Sequence, residues 1–325
     1  MTSHTSPQRW PAVLVACFVV LLVLLAALTG CNRSSQNAGS PLPTELFVVN
    51  TSPDQQRIRA EAVRDLARAV PQQVREGGTL VVGMTGNYPP LSFRADDAMT
   101  MIGIEPDLAQ LIADVLDLKL ELIITDWLDV FAGVTDGRFH IGLGNVAVTP
   151  ERLNRFDMIA YQQENQAFAV LAGSPIESLQ HPGDIAGLRI GVGAHTKSEE
   201  ILEDWNDSLR NAGLEPAELK NFAETWEYQA ALEAGEIDAT FGPMSILNFE
   251  AVTKGRSRVV GQVPGDGVRP ALVSAIVKKD AALGPLVRDA IDTVIVTGKY
   301  QAIFERWALQ HAMLPSSTLH GSELN

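Results

Sequence analysis

Cysteine is nearly missing from this chain, which holds Cys17 and Cys31 and no other in 325 residues. Cys17 lies inside an apolar run, so no disulfide framework is available to a folded body. Histidine is scarce as well: six residues, none at ligand spacing from another, which argues against a zinc site. Basic side chains are outnumbered 25 to 39, a net charge of −14, and the first thirty residues carry only Arg9. An acidic surface of that size argues against nucleic acid and against adhesion to anionic headgroups. No Gly-x-Ser-x-Gly elbow occurs. Gly142-Leu143-Gly144 and Gly191-Val192-Gly193 lack the third glycine of a dinucleotide loop. No metal and no cofactor are expected.

What remains is an ordinary globular composition, 46% apolar and 20% charged, long enough for one or two domains. The one long hydrophobic run, Pro11 to Gly30, follows a polar start and ends Leu28-Thr29-Gly30-Cys31, with Asn32-Arg33-Ser34-Ser35-Gln36 after it. A run of this length serves either as a membrane anchor or as an export signal. Leu-Thr-Gly-Cys resembles the bacterial lipobox, which implies cleavage of residues 1–30, lipidation of Cys31 and a mature protein tethered outside the cytoplasmic membrane. Residues 32–45, rich in Ser, Asn, Gly and Pro, read as a flexible tether. Glu61 to Glu76 reads as one amphipathic helix.

From Gly77 the pattern alternates: strands at Thr79–Met84, Lys119–Ile124 and Phe139–Leu143, with helices at Glu105–Asp117 and Trp127–Asp136. A second series follows: strands at Leu188–Val192, Leu219–Phe222 and Ile237–Phe241, with helices at Thr196–Ala212, Glu224–Ala234 and Met244–Thr253. The alternation predicts two α/β lobes with parallel strands. Each series contains a helix end, a Gly and a charged residue before an apolar strand: Asp136-Gly137-Arg138-Phe139 and Ala234-Gly235-Glu236-Ile237, with Gly at the expected left-handed C-cap. Gln166–Leu171 and Leu272–Val277 are extended runs outside the alternation, placed to carry the chain between lobes. Asp280–Thr297 and Tyr300–Leu309 are expected as helices packed back on the first lobe.

One segment concentrates the chemistry. Thr149-Pro150-Glu151-Arg152 opens a helix, with Thr149 as N-cap and Pro150 first in the helix. Arg152 then stands in the first turn, where free backbone N–H groups and a guanidinium together suit an anion, most naturally a carboxylate. An arginine there also reads as an ordinary solvated side chain. Thr196 followed by Glu199 is a capping box that starts a second such helix.

Several motifs, in order, resemble the family 3 extracellular solute-binding proteins, receptors of ABC importers mainly for polar amino acids. They are Gly-Thr-Leu-Val-Val-Gly (78–83) with Asn87-Tyr88-Pro89-Pro90; Gly103-Ile104-Glu105-Pro106-Asp107-Leu108-Ala109; Asp126-Trp127; Gly137-Arg138-Phe139-His140 leading to Thr149-Pro150-Glu151-Arg152; Gly187-Leu188-Arg189-Ile190-Gly191-Val192; and Gly235-Glu236-Ile237-Asp238-Ala239. The resemblance covers about residues 77–310. It implies the type II periplasmic-binding fold, two Rossmann-like lobes joined by two hinge strands. Its implied layout is a signal peptide at 1–30, a tether and N-terminal helix at 31–76, lobe 1 at 77–168, lobe 2 at 169–270, a return to lobe 1 at 271–312 and a tail at 313–325.

The resemblance also implies roles. Arg152 matches the arginine that grips a ligand carboxylate. Tyr88 and Trp127 match aromatic positions that line the ligand, although a tryptophan there also fits core packing. Asn145 and Ala147 fall in a strand-end loop that offers hydrogen bonds, Ala147 through its backbone alone. His195, Thr196 and Lys197 stand at the lobe-2 helix start; Lys197 adds charge there or extends into solvent. Thr85 and Pro243 stand where relatives place acids. With Pro243 in place of the acid that pairs with an α-ammonium, an anionic ligand is expected, unless Glu164, Asp126 or Glu224 supplies the missing charge. The expected function is capture of a small carboxylate-bearing solute, an amino acid or related organic acid, by a monomeric, lipid-anchored receptor that closes on a hinge and delivers to an ABC permease. The competing classes are a dehydratase-like enzyme of the same fold, with His195 as the lone acid–base candidate, and a ligand-sensing accessory lipoprotein.

Overall fold

The computed structural model describes residues 46–321 apart from position 224; the signal and lipidation assignments, including Cys31, lie outside them. The N-terminal stretch does not form one helix over Glu61–Glu76. It forms α1 (Arg64–Ala69) and α2 (Gln72–Gly77), broken at Val70-Pro71, where Val70 is extended. Proline has no N–H to donate and pushes the residue before it out of helical geometry.

The following elements are β1 (Thr79–Met84), a small hairpin β2 (Asn87–Tyr88), β3 (Ser92–Arg94) and β4 (Met101–Ile102), then α3 (Ile104–Val115), β5 (Lys119–Ile124), α4 (Trp127–Asp136), β6 (Ile141–Ala147), α5 (Pro150–Leu153) and β7 (Phe156–Leu171). The second series is β8 (Arg189–Gly193), α6 (Lys197–Asn211), β9 (Glu218–Phe222), α7 (Thr225–Glu233), β10 (Ala239–Pro243), α8 (Met244–Lys254) and β11 (Ser257–Pro264). β12 (Ala271–Lys278), α9 (Leu283–Val296), α10 (Lys299–Arg306) and β13 (Thr318–His320) complete the chain. The main sheet runs β5-β1-β6-β12-β7-β10-β8-β9, with β11 and β13 also on β7. Its ends, β5-β1-β6 and β10-β8-β9, are parallel, as βαβ crossovers require, and the strands between them are antiparallel.

The sixteen residues of β7 serve both halves. Residues 156–164 pair with β12, and Asn165 to Leu171 pair with β11 and β10. The change of partner therefore falls at Glu164 and Asn165, just before the extended run seen in the sequence. The chain returns through residues 265–270, between β11 and β12.

The repeated helix-Gly-charged-apolar unit has a packing reason. Gly137 and Gly235 are left-handed, as expected of C-caps. The apolar residue that follows does not start the strand but plugs the layer beneath it. A Cβ on Gly83 or Gly133 would lie 2.3 Å from the Phe139 ring, and one on Gly191 would lie 2.5 Å from Ile237. Strand pairing then starts two residues later than the sequence pattern suggested, at Ile141 and Ala239.

α3 is buried on nearly every side because the first half of the sheet lies against it together with α9 and α10; Leu108, Leu111, Val287, Ile291, Phe304 and Trp307 share one apolar cluster. The tail helices thus share the apolar cluster of the first half. Three buried acids on α3 meet three different partners. Asp114 pairs with Arg59 at 2.6 Å. Asp107 accepts from the Trp307 indole at 2.8 Å and lies 3.7 Å from both Arg57 and Arg306. Glu105 reaches the candidate site. Among the described residues no helix is long and apolar enough to cross a membrane.

Candidate functional site

The site residues of the first half converge at the carboxyl ends of β1 and β6. α4 begins here: Asp126 caps it by accepting the Asp129 N–H at 2.9 Å, which leaves Trp127 in its first turn, 37% exposed. Trp127 meets Phe131 edge-on at 4.7 Å between centroids. The Thr149 hydroxyl caps α5 by accepting the Arg152 N–H, as the sequence predicted. α5 is one turn long, so Arg152 folds back across the loop that precedes it.

There its Nη1 donates to the Ala147 carbonyl at 2.8 Å, and its guanidinium lies 5.4 Å from the Trp127 ring and 5.5 Å from the Phe131 ring. Burial lowers its pKa from the ordinary value. No carboxylate forms an ion pair with it among the described residues. A half-buried cation fixed by one carbonyl and two rings, with donors left over, is arranged to receive an anion. Thr85 and Trp127 both border Gly144, each 3.6 Å from where its Cβ would stand.

The loop beside Arg152 is held from behind. Asn145 is left-handed, φ 55°, an uncommon state that costs an L-residue roughly 1 kcal/mol. Its N–H donates to Glu105 Oε1 at 2.7 Å, the Gly144 N–H donates to the same oxygen at 3.1 Å, and the Tyr161 hydroxyl does so at 2.5 Å. Glu105 is fully buried, and that burial pushes its carboxyl above the usual range. Tyr88 lies beside the Asn145 amide; burial first, then the fields of Tyr228 and Glu164, raise its hydroxyl pKa.

In the second half, His195, Thr196 and Lys197 are exposed at the start of α6. Thr196 accepts the Glu199 N–H at 3.3 Å, but Glu199 returns its bond to the His195 N–H rather than to Thr196, at 2.6 Å. Lys197 pairs with Glu200 of its own helix at 2.9 Å. Pro243 precedes α8 and pairs in register with Gln166. Thr85, Tyr88, Trp127, Asn145, Ala147 and Arg152 are therefore neighbours, whereas no described contact joins them to His195–Lys197.

Sequence reasoning missed Glu105 as the support of the loop and Tyr161 as its partner. Acids recurring on a helix whose other positions are mostly apolar, Glu105 and Asp107 in its first turn and Asp114 near its end, were the available signal. Of the three acids considered for an ammonium group, Asp126 is committed to its cap and Glu224 lies outside the described residues. Glu164 is 4% exposed.

The family model for bacterial extracellular solute-binding proteins, family 3, matches residues 80–310. The L-cystine-binding protein TcyJ of Escherichia coli K12 is 26% identical over 236 residues, 72% of this chain and 84% of that protein. The arginine-binding protein ArgT of Corynebacterium glutamicum is 24% identical over 274 residues, 83% and 87% of the two chains. Among solved structures, an ancestral cationic amino acid solute-binding protein, AncCDT-1, superposes with a TM-score of 0.63 at 22% identity, over 72% of this chain and 97% of that one. The type II periplasmic-binding fold expected from the motifs is thereby shown, and both curated relatives are binding proteins.

Proposed function

Since this chain belongs to the family 3 bacterial extracellular solute-binding proteins, we infer that it is the receptor of an ABC importer, anchored outside the cytoplasmic membrane by lipid on Cys31, and that it binds a small carboxylate-bearing solute, an amino acid or related organic acid. The single observation that carries this reading is Arg152: a half-buried guanidinium, positioned by Ala147, Trp127 and Phe131, which feels the field of Glu151 but forms no ion pair with a carboxylate within 4 Å among the described residues. The solute's carboxylate takes two of its free donors, and Trp127, Tyr88 and Asn145 border the solute. Closure about the β7 partner change and residues 265–270 then brings the α6 start, His195 to Lys197, over it. The closed form gains the contacts of both halves, which is the differential affinity a two-state closure requires.

TcyJ and ArgT are an L-cystine-binding and an arginine-binding protein, and the reading here is likewise a binder. Calorimetry tests it with L-amino acids, L-cystine and organic acids on wild type and Arg152→Ala. Removing the partner of a buried carboxylate costs about 2–5 kcal/mol, roughly thirtyfold or more in affinity. Unchanged affinity in the variant defeats the assignment. Loss of tritiated palmitate labelling in Cys31→Ala tests the anchor.

A further inference from the structure

Residues 46–62 form a strap that contributes no strand or helix of its own and lies across the first half before α1. Arg59 pairs with Asp114 of α3 at 2.6 Å, and the Ala60 N–H donates to the same carboxylate at 3.0 Å. Arg57 donates to the carbonyls of Met101 and Pro106, and Arg306 of α10 donates to the Gln55 carbonyl at 2.5 Å. The Asp96 N–H donates to the Thr51 carbonyl at 2.9 Å. The first two described residues reach the second half instead. The Phe47 N–H donates to the Val252 carbonyl of α8 at 2.9 Å, and the Leu46 side chain lies 2.7 Å from where a Cβ on Gly255 would stand.

This contact is a helix cap supplied from elsewhere in the chain. The last four carbonyls of a helix have no partner within it. In α8 the Ala251 carbonyl takes the Gly255 N–H, and the Val252 carbonyl takes Phe47. Gly255 is left-handed, φ 66°, and its missing side chain leaves the hollow that Leu46 fills. α8 itself spans the two halves. It starts against Glu164, where β7 changes partners, through the Ser245 N–H at 3.1 Å. Met244 and Leu247 belong to an apolar cluster of the second half. Phe249 belongs to that of the first, edge-on to Phe93, and Asn248 donates to the Ala308 carbonyl at 3.2 Å. The eleven residues of α8, at about 1.5 Å each, put its far end about 16 Å from the hinge. A swing of about 15° about its start moves that end by about 4 Å, enough to break the bond from Phe47, while the strap stays fixed at Arg57 and Arg59.

We propose that residues 46–50 are a clasp on the hinge: they cap α8 while the halves are open and must let go of it for the halves to close. The halves are open in the sense that the α6 start makes no hydrogen bond or ion pair with Thr85, Trp127, Asn145 or Arg152 among the described residues. Leu46 stands fifteen residues after Cys31, so the tether held by the proposed lipid anchor ends on the element that reports the angle between the halves. The inference rests on the reading that the halves close on a solute and adds a restraint on that closure. Whatever draws the strap away from α8 favours the closed, binding-competent form.

The test uses the full chain in detergent and three variants. Phe47→Pro removes the N–H, Leu46→Asp unseats the side chain at Gly255, and Arg59→Ala loosens the strap at its first-half end. Spin labels at Leu128→Cys, in the first turn of α4, and Glu203→Cys, on α6, read the distance between the halves without any solute. They are placed in a Cys17→Ser, Cys31→Ser background, which leaves no other cysteine. Phe47→Pro and Leu46→Asp should raise the short-distance population above that of wild type, and Arg59→Ala should leave it unchanged. Calorimetry on the unlabelled chains, with the twenty standard L-amino acids and L-cystine, should show the tightest binder gaining about three- to tenfold in Phe47→Pro, the range of one net hydrogen bond. A strap that only adds stability lowers the Tm in Phe47→Pro and leaves the distances as in wild type, which overturns the proposal. So does a shift to longer distances, or a shift of equal size in Arg59→Ala. The clasp and the solute reading fail separately. Shifted distances with no probe bound keep the clasp and remove the solute reading. Binding lost in Arg152→Ala, with no effect of either Phe47→Pro or Leu46→Asp, keeps the carboxylate anchor and removes the clasp.

Discussion

Replacing Glu105 with alanine should damage the protein more than any change at the exposed end of the site. Its carboxylate accepts from Gly144 N–H, Asn145 N–H and Tyr161 Oη, all inside the first half. In Glu105→Ala these three donors lose their acceptor. Each buried donor left unsatisfied costs about 1–3 kcal/mol, and the vacated space adds to that. Offset against this is the release of a buried charge, whose cost is visible in the raised pKa of Glu105. A net loss of ~3–5 kcal/mol is expected, read as a lower urea midpoint at constant m-value. Glu105→Gln keeps one acceptor oxygen and the shape, so it should lose about 1 kcal/mol or less at pH 7.

The pH dependence supplies a second check on the same residue. An acid with a raised folded pKa binds its proton more tightly when folded, so its contribution to stability is greatest at low pH. That contribution declines as pH rises from the unfolded value of 4.5 through the folded one. Glu105→Gln has no such proton, so its deficit against wild type should widen on acidification. Because Asn145 needs this support to stay left-handed, Glu105→Ala should also weaken solute binding by more than Glu105→Gln does. A Glu105→Ala protein within 1 kcal/mol of wild type, with unchanged affinity, would show that the loop holds its own shape and would refute the reasoning.

Other outcomes are expected elsewhere. Gly103→Ala places a Cβ 2.3 Å from the Leu91 carbonyl oxygen at a φ of 124°, and thermal melting should show a loss of about 3 kcal/mol or more. Asp107→Ala strips the Trp307 indole, Arg57 and Arg306 of a buried partner, so about 3–5 kcal/mol should be lost and proteolysis within residues 46–62 should accelerate. His140 accepts the Val81 N–H on Nδ1 at 3.0 Å, and burial lowers its pKa. Stability credited to neutral His140 is therefore lost as pH falls from 6.5 through the folded value, and His140→Gln should flatten that limb of a pH–Tm profile.

Much of the architecture was legible because the deciding forces are local. Thr79–Met84, Lys119–Ile124 and Trp127–Asp136 occupy the spans that their apolar period assigns. The caps at Thr149, Thr196, Gly137 and Gly235 also form, since they are set by residues three or four positions apart. Where the reading slipped, a distant residue decided the outcome. Strand starts moved to Ile141 and Ala239 because Phe139 and Ile237 fill hollows over glycines on another strand. The helix over Glu61–Glu76 failed for a reason the sequence did contain, Pro71.

By itself, then, the amino-acid order determined the two alternating series, the capped helix that carries Arg152 and the motifs of a solute-binding receptor, because hydrophobic period, proline and capping act within a few residues. Only the tertiary structure decided that Glu105 props the strand-end loop, that Arg152 lies against Trp127 and Phe131, and that Glu164 is buried against the start of α8 where β7 changes partners. Those facts depend on which surfaces exclude water together, and burial is a property of the assembled chain.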